Sequence, residues 1–190
     1  MVKLNKIYTR TGDGGQTGLV DGSRVSKADV LMAAIGDVDE ANSALGVALA
    51  SVTDARLRAM LGRIQNELFD LGADLATPGE DFSPGEMSLR IVQEQIDRLE
   101  IEIDAMNESL SPLTSFILPG GAGGAAELHL ARTVARRGER MAVAAAASRP
   151  LNPLALTYLN RLSDHLFVAA RFAAAGGGGD ILWRPGATRS

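Results

Sequence analysis

Apolar residues recur at steps of three and four along five separate stretches of this chain, and no run of strand length alternates with period two. That pattern commits the chain to helices packed on helices. Residues 28–52 place Ile35, Val38, Ala41, Leu45 and Leu49 on one stripe, and residues 55–76 do the same with Leu57, Leu61, Ile64, Leu68, Leu71 and Leu75. The segment "TPGEDFSPGE" interrupts the periodicity. Ser83, Pro84 and Glu86 then match the N-cap, N1 and N3 positions of a capping box, with Ser88 as a rival start. The third helix expected there carries Leu89, Val92, Ile96, Leu99, Ile103 and Met106, with Glu94, Glu100 and Glu102 on its solvated side. Residues 125–147 form the fourth. Asn152 and Pro153 supply the N-cap and N1 of a fifth, which the glycine run at 176–179 ends near Ala175.

A doubly wound α/β fold would need strands between these helices, and none is found. With mostly short joins and no internal repeat, the expected fold class is all-α, an up-and-down five-helix bundle of the ferritin-like kind. Five Phe, two Tyr and one Trp are few for 190 residues, so alanine, leucine and valine must build the core. One domain is expected, divided into a glycine-rich loop at 1–27, the bundle at 28–175 and a tail at 176–190. A net charge of −4 and a pI near 5.2 argue against nucleic acid or an acidic membrane as the main partner, so any anion site is local. The chain has no cysteine and no apolar run of about 18 residues, and the expected location is cytoplasmic.

Four stretches bear on chemistry. "YTRTGDGGQTG", residues 8–18, has four glycines among hydroxyl and amide side chains, more than a turn needs. It lacks the spacing of a Walker A loop. Two readings stand: a nest of backbone N–H groups around an anion, helped by Thr9, Arg10, Thr11, Gly12, Thr17 and Lys27, or an unstructured tail. "LHLARTVARRGER" sets Arg132 and Arg136 on one face at i, i+4, where like charges repel unless an anion or carboxylate lies between them. The competing reading is a solvated basic face with Glu139 as internal partner. "GDVDEANSALG" puts Asp39 among apolar neighbours, where a carboxylate needs a cation, and Arg132 is the candidate. Asn160, Asp164, Phe167 and Arg171 share a face of the fifth helix, fit for a pocket lining or a bundle interior. "GGAGGAA" imitates a dinucleotide fingerprint but lacks the strand that must follow it. His129 and His165 are the only histidines and no Glu-x-x-His pair exists, so no protein-ligated metal is expected.

Taken together, "YTRTGDGGQTGL", Lys27, "GDVDEANSALG", "FILPGG", "LHLARTVARRGER", "YLNRLSDHLFVAAR" and "LWRPG" resemble the PduO-type ATP:cob(I)alamin (corrinoid) adenosyltransferases in order and spacing, from Tyr8 to Gly186. The resemblance implies a five-helix homotrimer with sites between subunits, which transfers the 5′-deoxyadenosyl group of ATP to cobalt with Mg²⁺ present. It implies that Thr9, Arg10, Thr11, Gly12, Thr17 and Lys27 hold ATP from one subunit, and that Arg136, Arg137, Gly138, Glu139, Arg140 and Asn160 complete the site from the next. It pairs Arg132 with Asp39 and sets Phe116 and Phe167 beside the corrin ring. A flavoprotein reductase and an adenosylcobalamin-dependent acceptor enzyme are implied as partners. The competing function is a non-catalytic ATP- and corrinoid-binding sensor or delivery protein. Gly138 stands where the family commonly has alanine, and the four-glycine tract leaves Trp183 without a defined place.

Overall fold

Helices form where the three-and-four periodicity lies: α1 (Val30–Ser51), α2 (Ala55–Leu75), α3 (Gln93–Asn107), α4 (Ala125–Ala146) and α5 (Pro153–Ala175). The structure, a computed structural model, describes residues 7–85 and 88–189. Asp29, Asp54 and Asn152 cap α1, α2 and α5 by accepting from the N–H of Leu31, Leu57 and Leu154. Gly124 caps α4 in the left-handed region at φ 90°, where a Cβ would lie 2.6 Å from Val52 Cγ2, so only glycine fits.

In cross-section the helices follow the order α2, α1, α4, α5, α3. Asp29 pairs with Arg149 while Ser51 bonds Glu127, so α1 and α4 are antiparallel. Arg161 bonds Glu100 and His165 bonds Glu102, so α3 and α5 run parallel. The topology is up-down-up-down-up. Leu31, Val38, Leu45, Leu61, Ile64, Leu71, Ile96, Leu99, Leu159 and Leu162 are all at most 2% exposed in a single core. No helix of the structure is long and apolar enough to cross a membrane.

Three expectations need correction. The third helix starts at Gln93, with Val92 as N-cap, not at Ser83 or Ser88; Glu86 lies outside the described residues. Residues 88–91 are held outside the helix instead, because Arg90 and the Ile91 N–H both donate to the buried Asp74 carboxylate. Leu89 is consequently half exposed, off the stripe. Second, Glu102 is not on a solvated face: it accepts from Arg63 at 2.8 Å and pairs with His165 at 2.9 Å. It belongs with Glu67, which accepts from Arg98 and from the buried Tyr158 hydroxyl, both at 2.8 Å. Burial first, and Glu67 next, push the Tyr158 phenol well above its ordinary value, so it stays a donor. Third, there are strands, though tiny: β1 (Gln16–Gly18) and β2 (Arg24–Ser26) pair antiparallel within the glycine-rich segment.

Candidate functional site

The 8–27 segment is folded, not an unstructured tail. Its ribbon is closed by Arg24, whose Nη2 donates to the carbonyls of Thr11 at 2.8 Å and Gln16 at 3.1 Å. The Val20 N–H donates to the Ala76 carbonyl, which docks the segment at the bundle end where α1 begins and α2 stops. Within it the Thr9 and Thr11 hydroxyls bond each other at 2.9 Å, and Arg10 holds a positive φ of 62° that non-glycine residues rarely adopt. Lys27 lies over Gly12 so closely that a Cβ there would sit 3.0 Å from Nζ. Thr9, Arg10, Thr11 and Lys27 are exposed and Gly12 and Thr17 half-buried, so the segment is an open cradle.

The arginine run of α4 divides between two faces. Arg137 turns to α1, where its Nε donates to Asp37 at 3.0 Å and its Nη2 to Glu40; hydrogen bonds to Glu40 and then Asp37 raise its pKa further. Gly138 is buried against Asp37 and Val38 of α1. Arg136 and Arg140 face α5 and, with Glu139, Val143 and Asn160, line a shallow cavity of about 300 Å³. Asn160 donates to Glu139 at 2.9 Å. Among the described residues neither Arg136 nor Arg140 has a carboxylate within ion-pair distance, and the same is true of Lys27 and Arg132.

Asp39 is exposed on α1, contrary to the expectation of a place on the core side of the helix, and within the subunit it does not pair with Arg132. It lines an apolar groove with Met32, Ile35, Leu68 and Phe69. Arg132 is the desolvated member of the two, with Nε buried and without a hydrogen-bond partner. Burial first and Arg136 second hold its pKa below the usual arginine value.

Phe116 is 79% exposed, so its ring takes no part in the core. It stands at the bundle end opposite the glycine-rich segment, 6.1 Å from the Trp183 ring at a 56° tilt. Trp183 therefore has a defined place after all. Phe167 is half-buried on α5, its ring edge-on to His129 at 6.1 Å. The expected α5 stripe splits up: Asp164 turns to Arg161, while Arg171 is buried against Asp180. Among the described residues no hydrogen bond or ion pair joins the 8–27 segment to Arg136, Arg140 or Asn160. One subunit thus carries two candidate half-sites with no direct bond between them among the described residues.

The profile of the cobalamin adenosyltransferase family matches residues 7–173, a span that includes both half-sites. The chain belongs to this family. It is 53% identical over 190 residues to the corrinoid adenosyltransferase of Mycobacterium leprae (strain TN), covering 97% of this chain and 98% of that one. It is 44% identical to the corrinoid adenosyltransferase of Bacillus subtilis (strain 168), covering 93% and 91%. Among solved structures it superposes with TM-score 0.85 at 39% identity on a PduO-type ATP:corrinoid adenosyltransferase from Lactobacillus reuteri, covering 94% of this chain and 99% of that one. That protein is a phenylalanine-to-alanine variant complexed with cobalamin and ATP. An arginine-to-lysine variant of it, complexed with ATP, superposes with TM-score 0.83 at 38% identity, covering 94% and 100%.

For a cobalamin adenosyltransferase chain, the residue that sequence reasoning missed is Arg24. Its position in β2 opposite Gly18 is set by the ribbon register, and a three-residue strand leaves no periodicity to read. Gly138 yields a prediction. A Cβ there would meet Asp37 and Val38 at 3.5 to 3.6 Å, ordinary contact, so alanine fits and removes the backbone entropy of a mid-helix glycine. Gly138→Ala is expected to raise unfolding stability by up to about 1 kcal/mol in urea titration. A destabilised variant would mean that the close α1–α4 approach needs the hydrogen.

Proposed function

We propose that this chain transfers the 5′-deoxyadenosyl group of ATP to the cobalt of cob(I)alamin, giving adenosylcobalamin and triphosphate, and that it does so as a homotrimer. The observation that carries this reading is the set of unpaired cations. Among the described residues Lys27 of one half-site and Arg136 and Arg140 of the other, with Arg132 one turn away, have no carboxylate partner, so together they offer positive charge to a polyphosphate in a chain whose net charge is −4. Since the two half-sites do not meet within a subunit, a neighbouring subunit supplies the missing half.

The chemistry asks little acid or base of the protein. The cob(I)alamin cobalt supplies the electron pair of the new cobalt–carbon bond to the ribose C5′. The C5′–oxygen bond breaks and its pair leaves with triphosphate, so no proton moves. What remains for the residues is alignment and charge stabilisation. The glycine-rich cradle and Lys27 fix the phosphate chain from one side, while Arg136 and Arg140 neutralise the leaving triphosphate from the other. Phe116 and Phe167 exclude water from the corrin side. Mg²⁺ would come as an ion carried by the phosphates themselves, as is usual where it keeps its waters and few protein ligands. A flavoprotein reductase that delivers cob(I)alamin and an adenosylcobalamin-dependent acceptor enzyme complete the reading and rest on the family resemblance, while the cytoplasmic location rests on composition.

The deciding experiment is an anaerobic assay with chemically reduced cobalamin, ATP and Mg²⁺, followed by absorbance. Conversion to the adenosylated form supports transfer; ATP and corrinoid binding without conversion would establish the sensor or delivery function instead. The trimer adds a second test. A half-buried arginine whose Nε lacks an acceptor on one subunit and an exposed acid on another can neutralise each other across the interface, so Asp39→Ala and Arg132→Ala are each expected to impair corrinoid use. The double variant should be little worse than either. Losses that add fully would show the two residues acting separately.

A further inference from the structure

Arg171 lies near the last turn of α5 and is 8% exposed. Its Nε donates to Asp180 Oδ2 at 2.9 Å and its Nη2 to the Ser111 carbonyl at 2.7 Å. The two acceptors sit on different segments: Ser111 begins the stretch that leads to Phe116, and Asp180 follows the glycine turn after α5. That turn depends on Gly178 and Gly179, at φ 111° and 81°. Past these anchors the segments pair with each other. The Trp183 N–H donates to the Phe116 carbonyl and the Leu118 N–H to the Ile181 carbonyl, both at 2.7 Å, while the Ser115 hydroxyl donates to the Trp183 carbonyl at 2.8 Å.

An isolated pairing this short, with both rings exposed, has little apolar burial to hold it. One guanidinium fork that reaches both segments supplies the missing constraint, since its donors are fixed at one relative angle. We propose that Arg171 is a positioning residue for the corrinoid half of the reaction: by clamping Ser111 to Asp180 it fixes the paired segments that present Phe116 and Trp183. The assignment to the corrinoid half rests on the function proposed above, whereas the clamp rests on geometry alone. Among the described residues Arg171 shares no hydrogen bond with the cradle or with the cavity of Arg136, Arg140 and Asn160. Its effect should therefore be confined to one substrate.

Trp183 is the only tryptophan of the chain, so its emission reports the clamp without a label. Arg171→Gln and Asp180→Asn are expected to move that emission to longer wavelength and to increase its quenching by acrylamide. The KM for cob(I)alamin should rise by about 10- to 100-fold, the size of a lost charge-assisted contact, with the KM for ATP unchanged. Arg171→Lys, which keeps the charge and loses the fork, should restore the corrinoid KM only in part. Asp180 stands outside the helices, so its variant remains informative even where Arg171→Gln does not fold. Unaltered emission in a folded variant overturns the clamp, and an unaltered corrinoid KM, or a parallel rise in both KM values, overturns the positioning role. A wild-type chain that leaves cob(I)alamin unconverted counts against the proposed function, while the emission measurement still decides the clamp.

Discussion

Arg136→Ala is expected to lower kcat/KM for ATP by about 30- to 1,000-fold, corresponding to roughly 2 to 4 kcal/mol of lost transition-state stabilisation. The size follows from the charge that develops as triphosphate departs and from the absence of any competing use for this guanidinium. Arg136 is exposed, has no carboxylate partner among the described residues and faces the cavity it shares with Arg140 and Asn160. Its neighbour Arg137 differs, being already neutralised by Asp37 and Glu40 across the α1–α4 contact. Truncating Arg137 should act through that contact, whereas truncating Arg136 should leave the melting temperature where it was. Steady-state rates with pre-reduced cobalamin and varied ATP check the first point, and thermal unfolding checks the second. Near-normal kcat/KM in the variant would remove Arg136 from the transition state.

The arginine run could be read from spacing alone, but its division between two faces could not. At 100° per residue Arg136 and Arg137 must diverge. Which of them meets acids depends on Asp37 and Glu40, a spaced pair on a helix about a hundred positions earlier. The same distinction runs through the fold. Where a signal is local, as with Asn152 and Pro153 at the start of α5, the boundary was legible to the residue. Where a local signal competed with a distant partner, as at Ser83, the distant partner prevailed. Asp39 shows the converse error: an acid flanked by apolar residues was expected inside, yet α1 turns Val38 and Ala41 inward and Asp39 out. The pairing of Trp183 with Phe116 joins segments that share no motif, so nothing in the sequence could announce it.

The strongest case of a distant partner is Asp74, and Asp74→Ala is expected to cost about 3 to 5 kcal/mol of unfolding stability. The carboxylate is 2% exposed on the core side of α2 and serves three donors. Oδ1 accepts from Arg90 Nη1 at 2.7 Å, and Oδ2 accepts from the Ile91 N–H at 2.8 Å and from Asn152 Nδ2 at 2.7 Å. One side chain thus ties together the end of α2, the segment entering α3 and the cap of α5. Removing it strands a guanidinium that is itself only 7% exposed, and leaves an amide N–H and the cap amide short of an acceptor. Arg90 keeps its bonds to the Thr77 and Asp81 carbonyls and its place over the Phe82 ring at 5.5 Å. These neutral partners do not offset its charge. Adding Arg90→Met should therefore recover part of the loss, since the uncompensated ion is what costs most, and the double variant should be more stable than the sum of the single effects predicts. Urea titration of the single and double variants measures this directly. A loss below about 1 kcal/mol for Asp74→Ala would mean that water reaches the site and carries the charge in place of the acid.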